Sequence, residues 1–191
     1  MTSKRRKGNQ PLDYELQPLP APICDMAFIR STFFPFFGPK DFITFASTGT
    51  CTFFGGASVG GTADGMGFSN STRGIIKAGY VAPSGATSTM DYITIAAAGN
   101  TQDFGDLSKH GDAGGVAGNS VRALMAGGLV QPGLVRTAEI SYVTIHTLGD
   151  NVVFGELSNP RWALTACANR TRTIWGGGST PTKQGDIEYG I

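Results

Sequence analysis

The sequence predicts an all-β protein built from repeated units. Three observations lead to this expectation: one pattern recurs along the chain, each copy contains short stretches of β-branched and aromatic residues, and glycine is spread over the whole length. The 191 residues include 28 Gly, and only 15% of them are charged. This composition suits tight turns and packed strands better than a helical bundle. No apolar stripe with the 3.6-residue period of a helix persists for three turns.

The repeat is clearest at Gly49, Gly99 and Gly149, which lie 50 residues apart. Chance does not keep such a register over three copies, and a period of this length is typical of repeat architectures. Other residue types recur at matching positions of each copy. They are Phe54, Phe104 and Phe154; Asn70, Asn119 and Asn169; and Arg73, Arg122 and Arg172.

Each unit contains four stretches that are typical of strands, because they are short, rich in β-branched and aromatic residues, and bounded by turn-forming residues. In the third copy, residues 140–145 and 152–157 are two of them, and Asp150 and Asn151 predict a tight hairpin turn between the two. Tandem four-stranded units of about 40 to 50 residues are typical of propeller blades. We therefore expect a small β-propeller whose core contains the three recurrent Phe side chains and the Tyr and Ile residues of the third strands.

The sequence divides into an N-terminal arm, residues 1–21, and the repeat region. The last unit is one strand short, and the segment 12–16 has the order of aromatic, acidic and Leu residues that the outer strands show. We expect this segment to close a ring of four blades, which removes the exposed edge strands. The alternative is an open half-propeller that is completed by oligomerisation. The expected units span about 22–58, 59–108, 109–158 and 159–191.

The recurrent Asn and Arg residues are interpreted as structural. Asn70, Asn119 and Asn169 are expected in turns between the first two strands, because Asn tolerates left-handed backbone geometry. The three Arg residues begin the second strands, where we expect them to bond to backbone carbonyls of a neighbouring blade. A ligand-binding ring of Arg is the alternative interpretation.

An Arg, a small-residue strand, an apolar strand ending in glycines and then an aromatic strand together resemble the Kelch repeat. The pattern YxTI…GN…FGDL…N…R…GG occurs in residues 91–128 and 141–178, and residues 41–79 contain a more divergent copy of it. This sequence pattern resembles the Kelch-like repeats of bacteriophage virion and tail-associated proteins. The resemblance covers about residues 22–191.

This resemblance implies a non-enzymatic structural component of a bacteriophage virion, in the tail, in the neck or associated with the capsid. Such a protein is made in the host bacterial cytoplasm and located in the virion. Its implied partners are other virion proteins and further copies of itself, held through protein–protein contacts. The alternative is a module of a tail fibre or spike that binds a host-surface glycan or receptor.

The N-terminal arm begins with a basic cluster, Lys4, Arg5, Arg6 and Lys7, and continues rich in Gln and Pro. Arms of this kind often become ordered only on contact with a neighbouring subunit. We expect the cluster to contact a protein partner rather than nucleic acid, because short basic clusters are commonplace and the formal net charge is only +1. The alternative is an unstructured tail that aids solubility.

The titratable residues form no recognisable catalytic or metal-binding pattern. His110 and His146 are the only histidines, and neither has a His or Cys partner at the spacing of a zinc site. Cys24, Cys51 and Cys167 show no CxxC spacing and are expected to be buried or idle thiols. We therefore predict no enzyme activity, no catalytic residue, no cofactor and no metal. No apolar run reaches the roughly 18 residues of a membrane span, so no membrane partner is expected.

Four acidic residues, Asp103, Asp106, Asp150 and Glu156, lie near the last hairpin of their units. Paired carboxylates at a defined separation serve glycosidases. Because these acids recur with the repeat, we expect turn and capping roles instead.

Overall fold

The computed structural model describes residues 26–30, 40–44, 50–56, 64–77, 79–81, 85–109 and 111–190. Within these ranges the chain forms strands and no helix, and all sheets are antiparallel, with two to four strands. The prediction of an all-β fold is therefore confirmed. No helix in these ranges is long and apolar enough to cross a membrane. The basic cluster 4–7, the segment 12–16, Cys24 and His110 lie outside them.

The first two sheets are meanders of strands in chain order. The first sheet consists of β1 (Met26–Arg30), β2 (Lys40–Thr44) and β3 (Thr52–Gly55). The second consists of β4 (Met66–Ser69), β5 (Arg73–Lys77), β8 (Thr89–Thr94) and β9 (Gln102–Asp106). A separate two-stranded ribbon of β6 (Tyr80–Val81) and β7 (Gly85–Ala86) lies between β5 and β8 in the chain. The strand order of the second sheet is β4-β5-β8-β9.

The third and fourth sheets follow the same plan. The strands after β9 are β10 (Gly111–Asp112), β11 (Gly115–Gly118), β12 (Arg122–Ala126), β13 (Leu129–Val130), β14 (Val135–Arg136), β15 (Glu139–Thr144) and β16 (Val152–Glu156). The last five are β17 (Thr165–Ala168), β18 (Thr173–Gly176), β19 (Ser179–Thr180), β20 (Thr182–Lys183) and β21 (Ile187–Gly190). The third sheet has the order β11-β12-β15-β16, and the fourth has the order β17-β18-β21. Small ribbons again form between the second and third strands, as β13-β14 and β19-β20, and β10, which precedes the third sheet, pairs with β13.

The second, third and fourth sheets contact each other through their first strands, since β11 touches both β4 and β17. Two apolar clusters lie along this stack. The first includes Phe104 and Met90 of the second sheet together with Val143 of the third. The second joins Ile140 of the third sheet to Trp175 of the fourth. The core is therefore formed by side chains from the facing surfaces of successive sheets.

A β-bulge recurs in the pairing of the third and fourth strands. In the third sheet Ile140 pairs with Gly155 and Ser141 with Val153, so Phe154 is the extra residue. The same shift leaves Phe104 extra in the second sheet and Phe54 extra in the first. A bulge redirects the side chain of its extra residue and increases the local twist. The recurrent Phe thus marks the same backbone irregularity in three units.

The prediction that all three recurrent Phe side chains fill the core is wrong for Phe154. Phe54 and Phe104 are 4% and 2% exposed, whereas Phe154 is 44% exposed. Phe54 and Phe104 lie where the next sheet supplies a covering loop, and the fourth sheet has no such loop among the described residues. Tyr92 and Tyr142 of the third strands are only partly buried, while Ile93 and Ile145 belong to the buried core.

Candidate functional site

The recurrent Asn side chains close the hairpins between the first and second strands. Oδ1 of Asn70 accepts hydrogen bonds from the backbone N–H groups of Thr72 (2.9 Å) and Arg73 (2.8 Å). Asn119 and Asn169 make the same pair of bonds in their own sheets. An Asn side chain that accepts from the backbone two and three residues ahead stabilises a turn in place of a backbone carbonyl.

The other end of the Asn amide reaches the following sheet. Nδ2 of Asn70 donates to the carbonyl oxygen of Ser120 at 3.0 Å, and Nδ2 of Asn119 donates to that of Arg170 at 2.8 Å. Each of these two Asn residues therefore links two sheets, which a turn role alone does not require.

The recurrent Arg side chains stack on Tyr residues of the third strands. The guanidinium carbon lies 4.5 Å from the ring centroid in the pairs Arg73–Tyr92 and Arg122–Tyr142, and 4.8 Å in the pair Arg172–Tyr189. A cation over an aromatic ring at this distance contributes about 0.5 to 1 kcal/mol at an exposed site. The Arg faces are thus occupied within their own sheets.

One Arg also bonds to the backbone of another sheet. Nη1 of Arg73 donates to the carbonyl oxygen of Ile145 at 2.7 Å. Because its face stacks on Tyr92 and its edge bonds to a carbonyl, this guanidinium is held as a structural bridge.

The predicted tight hairpin turn at Asp150 and Asn151 is absent, because these residues bond to the preceding sheet. Residues 145–151 connect β15 to β16, and the turn lies near Thr147, whose N–H donates to the carbonyl oxygen of Thr144. The remainder of the connection, residues 149–151, lies along β9. We call residues 99–101 and 149–151 the clamp loops.

The two clamp loops make matching bonds to the outer strand of the sheet before them. Gly149 and Asn151 donate their N–H groups to the carbonyl oxygens of Phe104 (2.8 Å) and Asp106 (3.1 Å). Oδ1 of Asp150 accepts from the N–H of Asp106 at 2.9 Å. In the other clamp loop Gly99, Asn100 and Thr101 make the equivalent bonds to Phe54 and Gly56.

The glycine after each bulge leaves room for a clamp loop. A Cβ on Gly55 would lie 1.9 Å from the carbonyl oxygen of Gly99, and one on Gly105 would lie 2.5 Å from that of Gly149. The equivalent Gly155 meets nothing within 4 Å among the described residues. The space that a clamp loop occupies in two units is therefore open beside Gly155.

The open space belongs to a surface that we call the terminal edge, formed by β21 and the exposed residues of β16. Among the described residues β21 pairs with β18 only. Ile187 and Tyr189 of β21 are 73% and 63% exposed, and Phe154 of β16 is also exposed. A free strand edge beside exposed apolar side chains is a surface on which another strand can pair.

An ion pair between a buried arginine and a partly buried glutamate fixes β21 against the segment that follows β16. Arg161 is fully buried and pairs with Glu188. The Glu188 carboxylate also accepts hydrogen bonds from the N–H (2.8 Å) and the hydroxyl (2.9 Å) of Ser158. Removing Glu188 would leave the buried Arg161 charge without its ion-pair partner, which is strongly destabilising, so β21 is held firmly although no described strand pairs with its outer side.

A second exposed apolar surface is the turn of the β13-β14 ribbon. Leu134 and Val135 are 49% and 62% exposed, and Leu134 has a φ of 55°. A left-handed conformation is unfavourable for a bulky residue, and such positions are often functional. We call Leu134 and Val135 the ribbon tip.

The described residues contain no group of three or more His, Cys, Asp or Glu residues that could hold a metal ion. Cys51 and Cys167 are free and exposed, so neither is one of the buried thiols that the sequence allowed. Among the recurrent acids, Asp106 accepts from the hydroxyl of Ser88 and Asp150 accepts from the backbone of Asp106. His146 lies in the turn after β15, with Nε2 3.3 Å from Nδ2 of Asn70.

Fold and surfaces together define a class: an all-β protein of repeated antiparallel sheets that are joined by side-chain and loop bridges. No protein-family model matches the chain, and no curated protein is similar to it in sequence.

Three of these features were not predicted from the sequence: the Tyr partner of each Arg, the clamp loops and the Arg161–Glu188 pair. The Tyr residues could have been found, since Tyr92 and Tyr142 are also 50 residues apart. The ion pair occurs only in the last unit, so the repeat carries no signal for it.

Proposed function

We propose that this protein is a non-enzymatic structural component of a bacteriophage virion, and that its four sheets are the blades of a small β-propeller. The contacts between first strands support the blade arrangement, because the innermost strands of neighbouring blades lie together around the axis of a propeller. The Kelch-like sequence pattern of the repeat supports the phage origin. Tail, neck and capsid locations are all consistent with this proposal.

The exposure of the ribbon tip is the observation that supports a role in assembly. Leu134 keeps an unfavourable backbone conformation while its apolar side chain faces solvent. A turn with no partner would be better served by Gly or Asn at this position. Exposed apolar residues on a projecting ribbon suit contact with other virion proteins or with further copies of this chain.

Purified particles of the phage that encodes this chain provide the test. We expect mass spectrometry to find the protein in them at a fixed copy number, and immunogold labelling to place it on the tail, the neck or the capsid. Its absence from particles, when it is abundant in infected cells, would contradict a virion role.

The ribbon tip can be tested by substitution during assembly. Leu134→Lys should reduce incorporation into particles at least tenfold without loss of the folded state, because it places a charge in an apolar contact. Val121→Lys is the matched control, since Val121 is similarly exposed but lies outside the ribbon. Equal incorporation of both variants would exclude the ribbon tip as the assembly contact.

The alternative function is a host-surface glycan-binding module of a fibre or spike. The observation that favours it is Tyr80, an exposed aromatic side chain on the β6-β7 ribbon. Binding of the isolated protein to a glycan array, with loss of binding in Tyr80→Ala, would support this function. Labelling confined to fibre tips would favour it over a tail-body, neck or capsid role.

A further inference from the structure

We infer that the terminal edge is a docking site for residues 8–17 of this same chain, which act as a clamp loop followed by an outer strand. This inference deepens the proposed blade arrangement and does not depend on a role in the virion. It rests on the way the two described clamp loops are held and on the spacing of residues in the N-terminal segment.

The described clamp loops define what a third loop would need. Each has a Gly whose N–H donates to the bulged Phe of the preceding outer strand, and the next residue is Asn or Asp, whose Oδ1 accepts from that strand two residues further on. The residue after that donates its own N–H to the same strand. The outer strand that follows ends seven residues after the Gly, at an acidic residue followed by Leu in Asp106–Leu107 and Glu156–Leu157.

The acceptor side of this arrangement exists once more at the terminal edge. Phe154, Gly155 and Glu156 repeat the positions of Phe104, Gly105 and Asp106. The space beside Gly155 is open, and Phe154 is exposed where Phe104 is covered. The site therefore has the shape and the backbone groups for a clamp loop.

Residues 8–17 carry the required spacing without a gap. Gly8 and Asn9 correspond to Gly99 and Asn100, and Glu15 and Leu16 follow at the same distance as Asp106 and Leu107. Pro11 falls on the first residue of the strand, a position where Pro is tolerated. Leu16 takes the place of Leu157, which is buried.

The match departs from the repeat at the bulge. Counted from the glycine, Asp13 corresponds to Phe104, and the aromatic residue comes one position later, at Tyr14. The bulge of the docked strand is accordingly shifted by one residue, which leaves the clamp loop and the Glu15–Leu16 pair in place.

The chain between the docked strand and β1 is long enough for this connection. Residues 17–25 can span about 30 Å when extended. The equivalent connections from an outer strand to the first strand of the next sheet, residues 107–114 and 157–164, are eight residues long. Residues 8–17 can therefore lie on the last sheet while the chain continues into the first.

A disulfide tests the register of docking. The pairs Tyr92–Gln102 and Tyr142–Val152 place Pro11 opposite Tyr189, and directly opposed residues are close enough for a disulfide. In the full chain with Cys24, Cys51 and Cys167 replaced by Ser, Pro11→Cys with Tyr189→Cys should oxidise to an intramolecular disulfide in a monomer. The matched control is Leu12→Cys with Tyr189→Cys, because Leu12 is the next residue of the docked strand and adjacent strand residues face opposite sides of the sheet.

The control pair should cross-link at least tenfold more slowly. Equal rates for the two pairs would mean a mobile arm and would overturn the inference. Disulfide-linked dimers would show that a second copy occupies the edge, and no cross-link at all would also exclude docking in this register. Each of these results is independent of whether the protein occurs in particles.

A pair of single variants keeps the inference testable if the double-cysteine protein does not fold. Asn9→Ala should lower the melting temperature by about 2 to 4 °C, the shift expected for losing roughly 1 kcal/mol in a chain of this size. Asn9→Asp should leave it unchanged, because Asp150 fills the same position in a described clamp loop. No loss in Asn9→Ala, or an equal loss in both variants, would contradict docking.

Discussion

The recurrent Asn is the residue in which local and long-range structure are most closely combined. Its Oδ1 satisfies two backbone donors in its own turn, while Nδ2 of Asn70 and of Asn119 reaches the next sheet. An Asp could close the turn, but its ionised carboxylate carries no donor for the second contact. The amide therefore explains why Asn is used at the first two of these positions.

Substitutions at Asn119 separate the two roles. Asn119→Ala should reduce the free energy of unfolding by about 1 to 2 kcal/mol, because it leaves backbone donors of the turn unpaired and removes the bond to Arg170. Asn119→Asp keeps the acceptor and loses only the inter-sheet donor, so its loss should be smaller. Urea unfolding measures both, and an equal loss for the two variants would mean that the turn bonds contribute little.

At the scale of the element, the outer strand and the clamp loop act as one unit. The bulge turns Phe104 into the core, and Gly105, with a φ of 142°, lets Gly149 approach. A side chain at this position would meet backbone rather than a flexible side chain, so the loop would have to move. The Phe-Gly sequence of the repeat is thus explained by two different requirements of adjacent residues.

Gly105→Ala should destabilise the protein by more than about 2 kcal/mol, since it combines an unfavourable φ with a clash against backbone. Gly67→Ala is the matched control, because its Cβ would make only an ordinary contact, 3.8 Å from the carbonyl oxygen of Ile75. Thermal unfolding of both variants is the measurement. A small effect at Gly105 would show that the clamp loop can move away at little cost.

At the scale of the whole molecule, the ends of the sheet stack differ from its middle. Inner sheets are covered by a neighbour on each side, and the terminal edge is not covered by any described residue. An exposed edge strand is a site of aggregation or further pairing. Stability of the whole fold should therefore depend on what pairs with β21.

Deletion of the N-terminal segment tests this dependence. Removal of residues 1–20 should lower the melting temperature by more than about 5 °C, because the inferred docking of residues 8–17 would pair with β21 and cover Phe154. Removal of residues 1–7 alone should leave the melting temperature unchanged, since it takes away only the basic cluster and the three residues that precede it. An unchanged melting temperature in the longer deletion would refute closure of the fold by the N-terminal strand.

The sequence by itself determined the all-β class, the turns at the recurrent Asn residues and the approximate positions of the main strands. These follow from backbone preferences and side-chain alternation within a few residues, as the Asn70 turn shows. Only the tertiary structure decided which recurrent residue is buried, which Tyr lies under each Arg, and where the clamp loops bind. Phe104 and Phe154 occupy the same position of the repeat, each followed by Gly, an acidic residue and Leu, and they differ in exposure because burial depends on the sheet that comes next. The repeat thus specifies the structure of the unit, while the neighbouring sheets specify the environment of each copy.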